Sequence, residues 1–222
     1  MKLGDVELEW LGHASFRIKT KGKTIYIDPY QLTNPGKANV ILLTHSHYDH
    51  CSLTDLEKIT RDGTTIICTP DSQSTATRID LKIDLRVIES GQEIQLDGIK
   101  IKAIPAYNLN KKFHPKTEHY VGFVIRIKNT VIYHAGDTDV IKEMQELTGY
   151  GKKGNTFIAL LPVGGTYTMT AEEAAKAASL IKPTIAIPMH YASIVGSSQD
   201  AKSFSELCKK QGINVKILEK SS

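Results

Sequence analysis

Residues 45 to 50 read His-Ser-His-Tyr-Asp-His and stand directly after the apolar run Asn39-Val-Ile-Leu-Leu43. A strand that is apolar on both faces lies inside a sheet, covered on both sides. It must therefore release the chain at the sheet edge, where His45, His47, Asp49 and His50 can converge. Ser52, with Asp55 three residues later, signals a helix start over Leu-Thr-Asp-Leu-Glu-Lys-Ile, so the cluster fills the turn between strand and helix. A single histidine in such a turn is usually structural. Four ligand-type residues in six positions point to a metal site, because imidazole nitrogen and carboxylate oxygen are the donors that suit zinc and other borderline divalent ions.

A catalytic metal pair needs more ligands than this cluster holds, and two other strand exits offer them. In Tyr133-His-Ala-Gly-Asp137, Gly136 gives the backbone room and Asp137 stands at the tip; in Ile187-Pro-Met-His190, His190 does. An isolated Asp after Gly is ordinarily a turn residue. Beside the histidine cluster it becomes a candidate ligand.

The remaining patterning supplies sheets for these exits. Val6, Leu8 and Trp10 alternate onto one face, and the strands Ser15-Phe-Arg-Ile-Lys-Thr20 and Lys23-Thr-Ile-Tyr-Ile-Asp-Pro29 follow across a Lys-Gly-Lys turn, as in an antiparallel meander. Further strands are expected at Thr65–Thr69, Leu85–Glu89, Glu93–Leu96 and Ile99–Pro105. A loop rich in Lys and His, residues 106 to 119, precedes strands at Tyr120–Ile127 and Thr130–Gly136. Strand and helix then alternate: strands at Phe157–Val163, Thr184–Met189 and Ile213–Leu218, and helices over about 171 to 182, capped by Thr170 and Glu173, and about 200 to 211. Phe204, Leu207, Cys208 and Gln211 fall at helical spacing, the first three as a buried stripe. There is no internal sequence repeat. An α/β (α+β) single domain over 1–222, with two sheets packed together and helices outside, is the expected architecture.

Composition narrows the function. At 23% charged residues and a formal charge of +4, the chain has no long block of one sign that suits nucleic acid or a membrane surface, and 41% hydrophobic residues suffice for a sizeable core. Cys51, Cys68 and Cys208 form no closed set of pairs, so reduced thiols and a cytoplasmic location are expected. No signal-peptide core or membrane-length apolar run is visible. A small-molecule substrate is the expected partner; the oligomeric state is not legible.

Thr44-His-Ser-His-Tyr-Asp-His50, Ala135-Gly-Asp-Thr-Asp139 and Met189-His-Tyr191, in that order, resemble the motifs of the metallo-β-lactamase superfamily of metal-dependent hydrolases. Trp10–Ile18 and Ile25–Pro29 are similar to the opening strands of its subgroup with lactonases and N-acyl phosphatidylethanolamine phospholipase D. The resemblance implies a four-layer αβ/βα sandwich and two divalent metal ions, zinc or else manganese. It places His45 and His47 at the first ion, Asp49, His50 and His190 at the second, and Asp137 between them, with Asp49 and Asp137 as the carboxylates of the catalytic machinery. It implies hydrolysis of an ester, lactone or phosphodiester by metal-bound hydroxide. His13 and Asp28 match stretches beneath the metals and are expected to orient ligands through hydrogen bonds.

One motif is broken. The superfamily places another histidine after a Pro-Ala step, where this chain reads Pro105-Ala-Tyr-Asn108. An amide oxygen is a poorer zinc ligand than imidazole, so the first site is expected to be weak or to be completed by His114, from a flexible-looking loop; contact with substrate is the other reading of His114. His119 is expected to be an exposed residue at a strand start, His134 a packed core histidine, and Cys51 a small buried residue. Thr138 and Tyr191 are candidate donors to a developing oxyanion. Lys111, Lys112 and Lys116 favour an anionic substrate. The competing function is a non-catalytic metal-binding domain that serves a partner; diiron redox chemistry on the same scaffold is a third.

Overall fold

Alternation in the opening segments produces the meander. β1 (Lys2–Leu3), β2 (Val6–Gly12), β3 (Ser15–Thr20) and β4 (Lys23–Ile27) pair antiparallel in sequence order. Val6, Leu8 and Trp10 are buried on one face, as their spacing requires. The computed structural model describes residues 1–152 and 154–221. They form two compact units: Met1–Glu89 with the residues from Leu218 onward, and Ser90–Ile217.

In the first unit, β5 (Val40–Leu43), β6 (Thr65–Cys68) and β7 (Asp84–Val87) add to β4 in parallel, giving a seven-stranded sheet in chain order. All of β5 is buried, because its side chains alternate between two covered faces. Ile41 and Leu43 of β5 pack with Ile66 and Cys68 of β6, with Leu56 and Ile59 of α1 (Leu53–Ile59), and with Ala76 of α2 (Gln73–Ala76). Each such buried Leu or Ile contributes about 1.5–3 kcal/mol relative to exposure. Parallel strands run out at one edge, so β4, β5 and β6 deliver Asp28, Thr44 and the 3₁₀ turn Pro70–Ser72 side by side.

The second unit repeats this plan without a sequence repeat. β8 (Glu93–Leu96), β9 (Ile99–Pro105), β10 (Val121–Ile127) and β11 (Thr130–His134) form a meander; β12 (Thr156–Pro162) and β13 (Ile185–Met189) extend it in parallel into a six-stranded sheet. Two antiparallel steps return β9 to the direction of β11. The exits of β9, β11, β12 and β13 therefore share one edge, which receives Asn108, Asp137, Gly164 and His190. α3 (Ala171–Ile181) starts at the expected capping box of Thr170 and Glu173, and α4 (Ser198–Lys210) at a second box, Ser197 with Asp200.

Three local expectations change. The α4 stripe is Ala201, Phe204, Ser205 and Cys208, with Leu207 only half-buried. The segment after α4 forms a single parallel bridge, Val215 to Ala186, because residues from Leu218 onward belong to the first unit and the run is divided before it can lengthen. The 3₁₀ turns Lys116–Glu118 and Lys142–Leu147 carry no period that a sequence could announce. No helix among the described residues is long and apolar enough to cross a membrane.

Asp55 locks the exit of β4 to the start of α1. Its carboxylate accepts from the backbone N–H groups of Gln31 (2.8 Å) and Leu32 (3.0 Å), the Ser52 hydroxyl (2.8 Å) and the Lys58 ammonium (2.9 Å). Burial alone would raise its pKa, but these bonds prevail and hold it below the ordinary carboxylate value. A depressed folded pKa contributes stability that is present above the unfolded value of about 4 and lost as pH falls through the folded value. Asp55→Ala, which strands the buried Leu32 N–H and removes the partner of the Gln31 N–H, should cost about 2 kcal/mol at pH 7. Urea unfolding at pH 7 and at pH 3 should show the gap between parent and variant shrinking in acid; a gap that stays constant would contradict this role.

Candidate metal centre

In the first unit the parallel exits meet around Asp28, which is fully buried and in left-handed backbone (φ 46°). Its carboxylate accepts from the Thr44 backbone N–H (2.9 Å), the Thr44 hydroxyl (2.7 Å) and Nδ1 of His50 (2.8 Å). The Thr44 hydroxyl has one proton and gives it to Asp28, so in its 2.9 Å contact with Nδ1 of His45 it accepts. Both His45 and His50 thus carry their proton on Nδ1 and present Nε2 as a lone pair. One carboxylate fixes two tautomers, the second through a hydroxyl.

The rest of the cluster aims at the same region. The His45 and His50 rings lie 4.1 Å apart, and His47 brings Nδ1 to 3.1 Å from Nε2 of His45. Asp49 Oδ2 is 3.6 Å from Nε2 of His50 and accepts from Nε2 of His13 at 2.9 Å. His13 is itself held by its carbonyl, which accepts from the Trp10 indole at 2.9 Å. His50 and Cys51 donate backbone N–H to the His47 carbonyl, and Asp71 Oδ2 accepts from the Ser46 N–H at 2.8 Å, which closes the turn. His13 thus bonds Asp49 and Asp28 bonds His50, each a side-chain contact behind the cluster.

In the second unit Asp137 Oδ2 faces two imidazoles, Nε2 of His114 at 3.2 Å and Nε2 of His190 at 3.1 Å; all three residues are buried. Nδ1 of His114 lies 3.2 Å from both the Asn108 side-chain oxygen and the Tyr167 carbonyl. Two acceptors there put a proton on Nδ1, so in the neutral ring the Nε2 lone pair points at the Asp137 carboxylate. Two electron-pair donors at that distance repel unless they share a cation. Gly136 (φ 63°) makes the bend that presents Asp137. Gly164 lies so close to the His190 carbonyl that a Cβ would collide with it.

Asn108, in the place of the motif histidine, has both ends of its amide committed within this unit. Its oxygen accepts from the His114 backbone N–H (3.0 Å) as well as from the ring, and its nitrogen donates to the Tyr167 carbonyl (3.0 Å) and Asp139 (3.3 Å). The loop that looked flexible is clamped: Asp139 also accepts from the Leu109 N–H (2.8 Å) and Lys111 (2.6 Å), and the Asn108 N–H closes on the His114 carbonyl (2.7 Å). Asp139, Thr44, Asp71 and Tyr167 were not singled out from the sequence. Asp139 and Thr44 lie inside the motifs already quoted; Asp71 and Tyr167 act at a distance that no spacing reveals.

Other candidates fall into place. His134 is buried in β11 and accepts from the Gly136 N–H, a packed histidine as expected, and His119 is exposed at the end of a 3₁₀ turn. Burial pushes the Cys51 thiol up to about 12, which suits an inert packed residue. Thr138 is a backbone clasp, its hydroxyl lying 3.2 Å from the Tyr107 carbonyl and 2.9 Å from that of Asp139, so it has no proton to spare for an oxyanion. Tyr191 is buried, which raises its phenol pKa. Lys111 pairs with Asp139 and lies 3.7 Å from Glu173, Lys116 pairs with Glu143 at 3.2 Å, and Lys112 is exposed.

The donor set fits divalent metal: imidazole lone pairs with assigned tautomers, carboxylate oxygens aimed at them, and hydrogen-bonded support behind each. The chain matches the family model described as a beta-lactamase superfamily domain over residues 7–190, a span that includes both clusters. It is 30% identical over 225 residues to the UPF0173 metal-dependent hydrolase of Methanopyrus kandleri, covering 96% of each chain, and 35% identical over 210 residues to that of Thermococcus onnurineus, covering 91% and 92%. Among solved structures it is similar to Igni18, a metallo hydrolase from Ignicoccus hospitalis, with a TM-score of 0.78, 26% identity and coverage of 98% and 96%. With its two mixed sheets, its helices and its ordered histidine and aspartate motifs, the chain belongs to the beta-lactamase superfamily.

Proposed function

We propose that this metal-dependent hydrolase uses a dinuclear centre, with His45, His47 and His114 at the first ion, Asp49, His50 and His190 at the second, and Asp137 shared. The observation that carries this reading is the position of Asp137 Oδ2 between the Nε2 atoms of His114 and His190. The match to a beta-lactamase superfamily domain over residues 7–190 supports this reading. With His114 in place of an amide oxygen, the first ligand set is three imidazoles, which favours zinc over manganese.

Bound divalent ions supply an activated water and polarise the oxygens of the scissile group. The protein's part is preorganisation. Asp28 and Thr44 hold the Nε2 lone pairs of His50 and His45 in position, His13 steadies Asp49, and Asn108 steers the ring of His114. The substrate is a small molecule with an ester, lactone or phosphodiester bond.

Asp137→Ala removes the shared carboxylate, so activity should fall by orders of magnitude and metal content should drop below two per chain by mass spectrometry under native conditions. A folded variant that keeps full turnover and both ions would refute the bridge. His114→Ala should weaken zinc at the first site by about 10- to 100-fold or more, and Asn108→Ala, which loosens a support, should weaken it by about tenfold. Calorimetric zinc titration of the metal-free proteins measures both; unchanged first-site affinity in His114→Ala excludes it as a ligand.

A further inference from the structure

Seven large apolar side chains stand exposed among the described residues, and four of them lie within five positions of a proposed ligand. Leu109 (58% exposed) and Phe113 (49%) occupy the loop that ends in His114, Ile194 (37%) follows His190, and Tyr48 (65%) separates His47 from Asp49. Water contact with such side chains is unfavourable, and the loop cannot relieve it by folding back. The Leu109 N–H is held by Asp139 and the His114 N–H by Asn108. The Phe113 ring meets the Tyr167 ring edge-on at 4.6 Å, and the carbonyl of that same Tyr167 lies against Nδ1 of His114. An aromatic wall is thus built onto the residue that orients a proposed ligand. Two of the three lysines of this loop, Lys111 and Lys116, are paired with Asp139 and Glu143.

We infer that the substrate carries an alkyl chain beside the bond that is hydrolysed, and that Leu109 and Phe113 select it; the inference rests on the hydrolase reading above. A second copy of the chain is the weaker occupant. Two side chains of at most about 250 Å² each fall short of the roughly 800 Å² per partner that a stable dimer buries.

The test compares kcat/KM of the zinc-loaded protein on p-nitrophenyl acetate and p-nitrophenyl hexanoate. A fully buried methylene is worth about fourfold, so four methylenes against a half-open wall should favour hexanoate by about tenfold or more. In Leu109→Ser/Phe113→Ser the ratio should fall towards one, while Phe113→Leu, which stays apolar, should retain most of it. A parent ratio near one, or a ratio unchanged in the double variant, overturns the inference. Saturation-transfer NMR with hexanol on the same zinc-loaded proteins needs no turnover: transfer in the parent that falls several-fold in the double variant supports the wall, and equal transfer overturns it. If no ester, lactone or phosphodiester is hydrolysed, the hydrolase reading fails and the hexanol result alone decides the wall. Light scattering that shows a parent dimer and a monomeric double variant would assign the patch to a second copy and overturn the inference. Because both side chains are exposed, the variants should keep the parent's circular-dichroism melt.

Discussion

The Asp28 carboxylate is the contact on which the first half of the site depends. It sits at the end of a parallel strand, out of water, with its charge balanced only by donated hydrogen bonds from Thr44 and His50. A buried carboxylate without such donors would be prohibitively unfavourable, so the neighbouring strand exits must meet here in one geometry. That geometry also decides the chemistry. It puts the protons of His45 and His50 on Nδ1 and turns Nε2 of each into an electron-pair donor. The same interactions that make the buried charge tolerable preorganise the ligands, and the left-handed backbone at Asp28 is strain stored at the site in return.

The second half reaches a similar end by a different route. Asn108 stands where the resemblance places a histidine. Its amide instead orients His114 from six residues away, and His114 brings Nε2 to Asp137. The substitution works because Asp139 fixes the amide and the intervening loop together. A ligand supplied from a loop normally lacks the rigidity of one supplied from a strand end. Here hydrogen bonds from Asn108, Leu109, Lys111 and His114 hold that loop in place.

Much of this was legible in the residue order. β5 was readable because it is apolar on both faces, and α1 and α3 because Ser52 and Thr170 carry their capping partners three residues on. The clusters at His45–His50, Asp137 and His190 were readable because ligand types crowd into strand exits. The division of the last apolar segment was not, since its pairing depends on which unit each residue joins. The clamp by Asp139 and the inward ion pair of Lys111 were also hidden: a lysine in a loop reads as solvated until the carboxylate that takes it, 28 residues away, is located. Sequence period reports which face is buried; it carries no information on where a polar side chain finds its partner.

The central proposal is that His114 serves in place of the histidine that the motif puts where Asn108 stands, in a two-ion centre with a shared Asp137. Anomalous diffraction at the zinc edge from crystals of the zinc-loaded protein tests it most directly. The account predicts two peaks, one at about 2.1 Å from nitrogens of His45, His47 and His114 and one at that distance from His50 and His190, with Asp137 between them. A first-site peak bound to the Asn108 oxygen with His114 outside coordination distance, or one peak in place of two, would contradict it.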